Sequence, residues 1–234
     1  MLNSGTAISG LLLLAAIIFS FWADRKVKKT YSKYSNVRNS RNITGAEAAR
    51  LILDRAGLQD VPIAQTTGTL SDYYDPKNRR VVLGETEYNT PSSVAVGVAA
   101  HECGHAMQYA DAYWPAKVRM AIVPATNFGS RISIPLIIVG AILSALIPRA
   151  YYLVYAGIAL FALCVVFQLI TLPTEFDASR RALNCITSNG LLDGEDYEAA
   201  KEVLVAAALT YVAGLAVALA QLLRLIAIYG RKRD

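Results

Sequence analysis

Three stretches of this chain are almost free of charge, and they constrain its fold more than any other feature. No charged residue occurs from Met1 to Ala23, where Thr6–Ala23 offers an 18-residue helix closing on the aromatic pair Phe21 and Trp22. Runs of about 18 or more uncharged residues are long enough to cross a bilayer as helices. From Ile132 to Leu172 the only charge is Arg149, and Pro148-Arg149 divides the stretch into Ile132–Ile147 and Ala150–Leu172. That pattern predicts a membrane hairpin with Pro148 and Arg149 at its turn and Tyr151, Tyr152 and Tyr155 at an interface. The last run, Val203–Tyr229, holds Gln221 and Arg224 near its end and precedes Arg231, Lys232 and Arg233. It either spans with tilt, its late arginine reaching the headgroups, or lies along the membrane.

Composition agrees. The chain is 54% hydrophobic and only 18% charged, against about a quarter for a soluble globular protein. This excludes disorder, a coiled coil and a disulfide-rich secreted module. The first run lacks the basic start and small-residue cleavage pattern of a signal peptide, so it reads as a retained span. Cys103, Cys164 and Cys185 are odd in number and form no C-x-x-C pair, which suits a reducing compartment.

The predicted organisation is a mainly α membrane protein of three to four transmembrane helices with a small α+β catalytic unit. Residues 1–23 form the first span, 24–131 a polar segment, 132–172 the hairpin, 173–202 a second polar segment, and 203–234 a fourth membrane helix with a basic tail. The two polar segments hold 18 of the 23 Lys and Arg residues, and seven of these follow the first run directly: Arg25, Lys26, Lys28, Lys29, Lys33, Arg38 and Arg41. By the positive-inside bias both polar segments face the cytoplasm of a multi-pass cell-membrane protein. Four spans would then leave the C-terminal basic cluster outside. Either the early cluster dominates, or the last helix does not cross. A basic cluster beside a span is accounted for by anionic lipid, so nucleic acid is not an expected partner.

Within the first polar segment, Thr44 with Glu47 three residues on reads as a capping box opening a helix that Gly57 ends. Strand-like pieces at Val61–Thr66 and Arg80–Gly84 flank a turn-rich patch, Ser71–Asn78. Ser92 or Ser93 caps a helix from about Val94 to Tyr109. Its second half contains His101-Glu102-Cys103-Gly104-His105, an H-E-x-x-H pattern built from the only two histidines in the chain. Residues four apart lie on one helix face, so His101 and His105 can hold one Zn²⁺ ion while Glu102, one residue along, serves as general base. Gly104 costs about 1 kcal/mol relative to alanine in a helix, which points to close packing there.

A catalytic zinc takes three protein ligands and keeps one position open. With no histidine left, the third ligand is a carboxylate or a thiolate. A hairpin leaves the membrane where it entered, so Glu175 and Asp177 emerge on the side of His105, and Glu175 is the leading candidate. Pro173 should end the span and Thr174 cap a new helix. Acids are favoured in a helix's first turn whatever their function, so both acids have a purely structural explanation as well.

These residues resemble a known family. The segments His101-Glu102-Cys103-Gly104-His105-Ala106-Met107-Gln108 and Glu175-Phe176-Asp177-Ala178-Ser179-Arg180-Arg181-Ala182, separated by a membrane hairpin, are similar to the bacterial neutral zinc metallopeptidases of the YugP type. The layout is also similar to the HtpX-type membrane proteases. The resemblance covers most of the chain and implies a gluzincin arrangement: His101, His105 and Glu175 on zinc, and Glu102 as base. HtpX-type enzymes carry an Asp four residues after the ligand Glu, where this chain has Ser179, so the role of that Asp does not carry over directly and Asp177 is open as its substitute.

The implied chemistry is hydrolysis of a protein or peptide substrate. Tyrosines near the cleft, Arg180 and Arg181 are candidates for stabilising the oxyanion. The strand at Val81–Gly84 is either an edge that pairs with extended substrate or an ordinary core strand. Two other readings compete. Leu192-Asp193-Gly194 matches the L-D-G motif of site-2-type intramembrane proteases, with Asp193 as third ligand, although its polar flanks read as a turn. A non-catalytic membrane scaffold would keep a structural metal completed by Cys103 or Cys185.

Overall fold

The computed structural model describes residues 4–68 and 71–230 of the chain. The basic tail Arg231, Lys232 and Arg233 lies outside them. Contacts divide the chain into two units, each assembled from separated segments: Ala23–Lys117 with Pro173–Leu209, and Met1–Trp22 with Val118–Leu172 and Thr210–Asp234.

The first of these contains a short sheet and the helices around it. Helix α1 (Ser4–Tyr34) enters it at its C-terminal end, and α2 (Gly45–Arg55) follows. The capping box forms as the sequence predicts: Thr44 Oγ1 accepts from Glu47 N at 3.2 Å, and Glu47 Oε2 accepts from Thr44 N at 2.8 Å. Strands β1 (Ile63–Thr66), β2 (Tyr73–Asp75) and β3 (Arg80–Gly84) make a sheet of order β1-β3-β2, with β1 parallel and β2 antiparallel to β3. The middle strand is β3, and its Val81, Val82 and Leu83 are buried. It is therefore a core strand whose two edges are taken, and the exposed edge beside the next long helix belongs to β2. Turn chemistry hides β2 in the sequence: Asp75 Oδ1 accepts from the amides of Lys77 and Asn78, so the patch is a three-residue strand followed by its own Asx turn.

Helices α3 (Glu85–Asn89) and α4 (Ser93–Ala110) complete this side, with Ser92 Oγ accepting from Ala95 N at 3.1 Å. The small residues of α4 let it sink into the core, where Val96, Ala99, Ala100, Cys103 and Ala106 pack with Ile52, Leu53, Val81, Leu83, Ala182 and Ile186.

The remaining helices are α5 (Trp114–Leu143), α6 (Tyr151–Ser188) and α7 (Gly194–Tyr229), with a 3-10 turn at Pro148–Ala150 between α5 and α6. α5 begins well before the charge-free run, at Trp114, and carries Pro124 and Pro135 inside it. With α1, these are four helices long and apolar enough to cross a membrane. No more than 28% of the most apolar window of any of them is buried within the protein, so lipid must cover the rest. Leu11, Ile18, Phe128, Ile142 and Leu223 are among the exposed side chains. α5 and α6 approach closely where a Cβ on Gly157 would stand 2.7 Å from Ser133 O, the small-residue contact typical of membrane helices.

One expectation is corrected. Pro173 does not end its helix; α6 runs through it to Ser188. Proline removes one intrahelical bond, and in a packed membrane helix neighbouring groups compensate for that loss. Glu175 and Asp177 therefore sit in mid-helix, and a preference for acids in the first turn does not explain them.

Candidate metal centre

α4 and α6 present three side chains to one another. Nε2 of His101 lies 3.2 Å and Nε2 of His105 3.5 Å from the same Oε2 of Glu175. The ligand atoms of all three lie within 4.8 Å of one another, and the group is the one potential metal cluster among the described residues. Two donors on a tetrahedral ion with bonds of 2.0–2.1 Å stand about 3.3 Å apart. The two histidine–carboxylate separations bracket that value, and two imidazoles with a carboxylate are a donor set that suits zinc. Glu175 is 2% exposed, and the imidazoles of His101 and His105 are partly buried.

Gly104 explains the close approach of the two helices. A Cβ there would stand 2.5 Å from the carbonyl oxygen of Ala178, three residues beyond Glu175. Glu102 is buried at 8% exposure. Burial disfavours the charged form of His105, but hydrogen bonding to Glu175 and the nearby charge of Glu102 outweigh this and raise its pKa.

Each imidazole is also held from behind. Nδ1 of His101 lies 3.1 Å from Ser179 Oγ, and Nδ1 of His105 lies 3.0 Å from Gln108 Oε1. Ser179 thus reaches the first histidine directly, while Asp177 acts elsewhere: its Oδ2 accepts from Gln108 Nε2 at 2.9 Å and from Arg181 Nε at 2.7 Å, and Arg180 also pairs with it. Arg181 pairs further with Asp111. Both arginines are engaged with Asp177. Gln108, one helical turn from His105, does not stand out in the sequence, and Ser179, one turn from Glu175, does so only as the place where HtpX-type enzymes carry an Asp.

A second acidic group borders the site. Asp72, just before β2, accepts from Gly84 N at 2.8 Å. Its pKa is pushed up to about 7 by burial, against the Gly84 bond, with Glu87 and Glu102 adding to the rise. Glu87 is itself buried and accepts from the hydroxyl of Tyr31.

The structure does not bring Asp193 to the imidazoles. It lies in the loop before α7, largely exposed, 3.4 Å from Arg41. The cysteines are placed elsewhere too: Cys103 is buried with Sγ 3.7 Å from Ala49 O, and Cys185 Sγ is 3.9 Å from Met107 Sδ.

Fold and site together define a helical membrane protein in which two histidines one turn apart on one helix meet a carboxylate from a later helix. Residues 9–230 match the protein family described as "Putative neutral zinc metallopeptidase", and the chain belongs to that family. It is 46% identical over 223 residues to the "Putative membrane protease YugP" of Bacillus subtilis (strain 168), a match covering 95% of this chain and 97% of that protein. No solved structure matches.

Proposed function

We propose that this protein is a zinc-dependent endopeptidase of the cell membrane, with His101, His105 and Glu175 as metal ligands and Glu102 as general base. The observation that carries the reading is the convergence of both Nε2 atoms on one carboxylate oxygen at 3.2 and 3.5 Å. Zinc, when bound, supplies a Lewis acid that acidifies water and polarises a peptide carbonyl. Glu102 takes the proton of the water that attacks the carbonyl carbon. It then delivers that proton to the departing amine nitrogen as the C–N bond breaks. Glu175 and the two imidazoles hold their positions throughout, and the burial of Glu102 keeps bulk water from competing for the proton.

The free edge of β2 adjoins α4, where Tyr74 packs on Tyr109 at 5.5 Å between ring centroids. An extended peptide substrate would pair with that edge strand. The substrate is a protein or peptide, and the other partner is the bilayer itself. The basic residues that follow the first apolar run support a site on the cytoplasmic side and suit anionic headgroups, with no role for nucleic acid. The site-2-type reading loses support from the pairing of Asp193 with Arg41, and the scaffold reading from the placement of both cysteines away from the imidazoles.

The test compares wild type with Glu102→Gln in two assays, zinc content of the purified protein and proteomics of the membrane fraction. The variant should keep one zinc per chain and accumulate uncleaved substrates. Unchanged proteolysis in a variant that retains zinc would overturn the assignment of Glu102, and a wild type without zinc would overturn the metal site.

A further inference from the structure

Gln108 is fully buried, and every polar atom of its amide has a partner. Nε2 is 2.8 Å from the backbone oxygen of Thr174 and 2.9 Å from Oδ2 of Asp177. A backbone carbonyl and a carboxylate accept hydrogen bonds and cannot donate them. If the amide turned over, its oxygen would face both of these acceptors inside the protein, with two hydrogen bonds lost and nothing gained. Only one orientation is therefore available, and in it Oε1 faces Nδ1 of His105 at 3.0 Å. An amide oxygen accepts only, so Nδ1 must carry the hydrogen. In the neutral ring that leaves the lone pair on Nε2, the atom on the Glu175 side where a metal would bind.

His101 has no such constraint. Its Nδ1 meets the hydroxyl of Ser179 at 3.1 Å, and a hydroxyl can rotate to donate or accept. Asp177 strengthens the difference. It is 5% exposed, and Arg180 and Arg181 both pair with it, so it remains an acceptor that Gln108 cannot displace.

We propose that Gln108 is a positioning residue that fixes His105 in the Nδ1-protonated tautomer, with Asp177 as the buried charge that locks the amide. This rests on the reading of His101, His105 and Glu175 as zinc ligands. Sequence-distant groups thus decide which ring nitrogen of His105 is presented to the metal, while Ser179 supports His101 without selecting its tautomer.

Because the chain has only two histidines, ¹⁵N-histidine labelling of the full-length protein in lipid bilayers gives two imidazole spin systems and no background. In the zinc-free protein, at a pH where both imidazoles are neutral, wild type should show His105 protonated at Nδ1 alone. Gln108→Leu should lose that single tautomer and weaken zinc binding about 10–100-fold, measured by chelator competition. Ser179→Ala should alter the signals of His101 and leave those of His105 in place. Gln108→Met fills the same space with no acceptor for Nδ1 and should behave like Gln108→Leu, an outcome that a merely space-filling glutamine would not give.

If Gln108→Leu does not fold, zinc-free wild type decides, because a His105 population protonated only at Nε2 would have lost its hydrogen bond to Gln108. Such a population in wild type, or a single Nδ1-protonated tautomer with zinc affinity within about twofold in either Gln108 variant, overturns the inference. A wild type that binds no zinc overturns the ligand assignment and this inference together.

Discussion

Replacing Gly104 with alanine sets two effects of opposite sign against each other. Helix propensity alone favours alanine by about 1 kcal/mol in mid-helix. The new Cβ, however, would stand 2.5 Å from Ala178 O and 3.1 Å from both Ala178 C and Cα, whereas ordinary contact begins at 3.4 Å. All three are backbone atoms of α6, so no side chain can swing aside. Relief requires α4 and α6 to separate by about 0.9 Å, and overpacking of this kind costs about 1–3 kcal/mol. The stability change should therefore be a net loss of about 1 kcal/mol, visible as a lower melting temperature in excess chelator, where zinc does not contribute.

The effect on the site is larger, because the displaced backbone lies between Glu175 and Ser179. Metal–ligand distances tolerate about 0.2 Å, so a shift several times larger should weaken zinc binding by at least about tenfold. Competition with a chromophoric chelator measures this. A Gly104→Ala protein that is more stable by about 1 kcal/mol, with unchanged zinc affinity, would show that the glycine is incidental and that the contact between the two helices does not set the ligand spacing.

Separate substitutions distinguish the two candidate third ligands: Glu175→Ala should weaken zinc binding by more than about a hundredfold, and Asp193→Ala should leave it unchanged, both by chelator competition. Asp72→Asn gives a pH-dependent result. The folded-state pKa of Asp72 is raised, so the folded protein holds a proton that the unfolded chain releases, and wild-type stability falls as pH rises from 3.8 towards about 7. The amide oxygen introduced by Asp72→Asn can still accept from Gly84 N, so the variant's advantage in melting temperature should grow over that range and level off above it, reaching about 1–2 kcal/mol once solvent screening of a half-buried group is allowed for. An advantage independent of pH would refute the charge argument. Thr44→Ala removes one half of the capping box and should cost about 1 kcal/mol by thermal melting without changing zinc affinity.

What the sequence made legible depended on how local each determinant was. The capping box of α2 and the four apolar helices could be read because their signals lie within one element. β2 could not, since a strand of three residues has no periodicity and exists through pairing with β3. Pro173 misled because proline reports the loss of one backbone donor, not the packing that compensates for it. The supporting residues were hidden for a different reason. Gln108 meets Thr174 and Asp177 across 66 and 69 residues, and Ser179 meets His101 across 78, so nothing near either in the chain indicates its partner.

His101 and Glu175 are 74 residues apart, with the whole hairpin between them. Ribosomes add about 5–20 residues per second, so a growing chain carries both histidines for about 4–14 s before the carboxylate that joins them has been made. During that interval the nascent protein has two of its three metal-facing groups and cannot close the centre. Completion is deferred until the second half of the hairpin has been synthesised, which leaves the three-residue cluster open while the membrane helices are still being made.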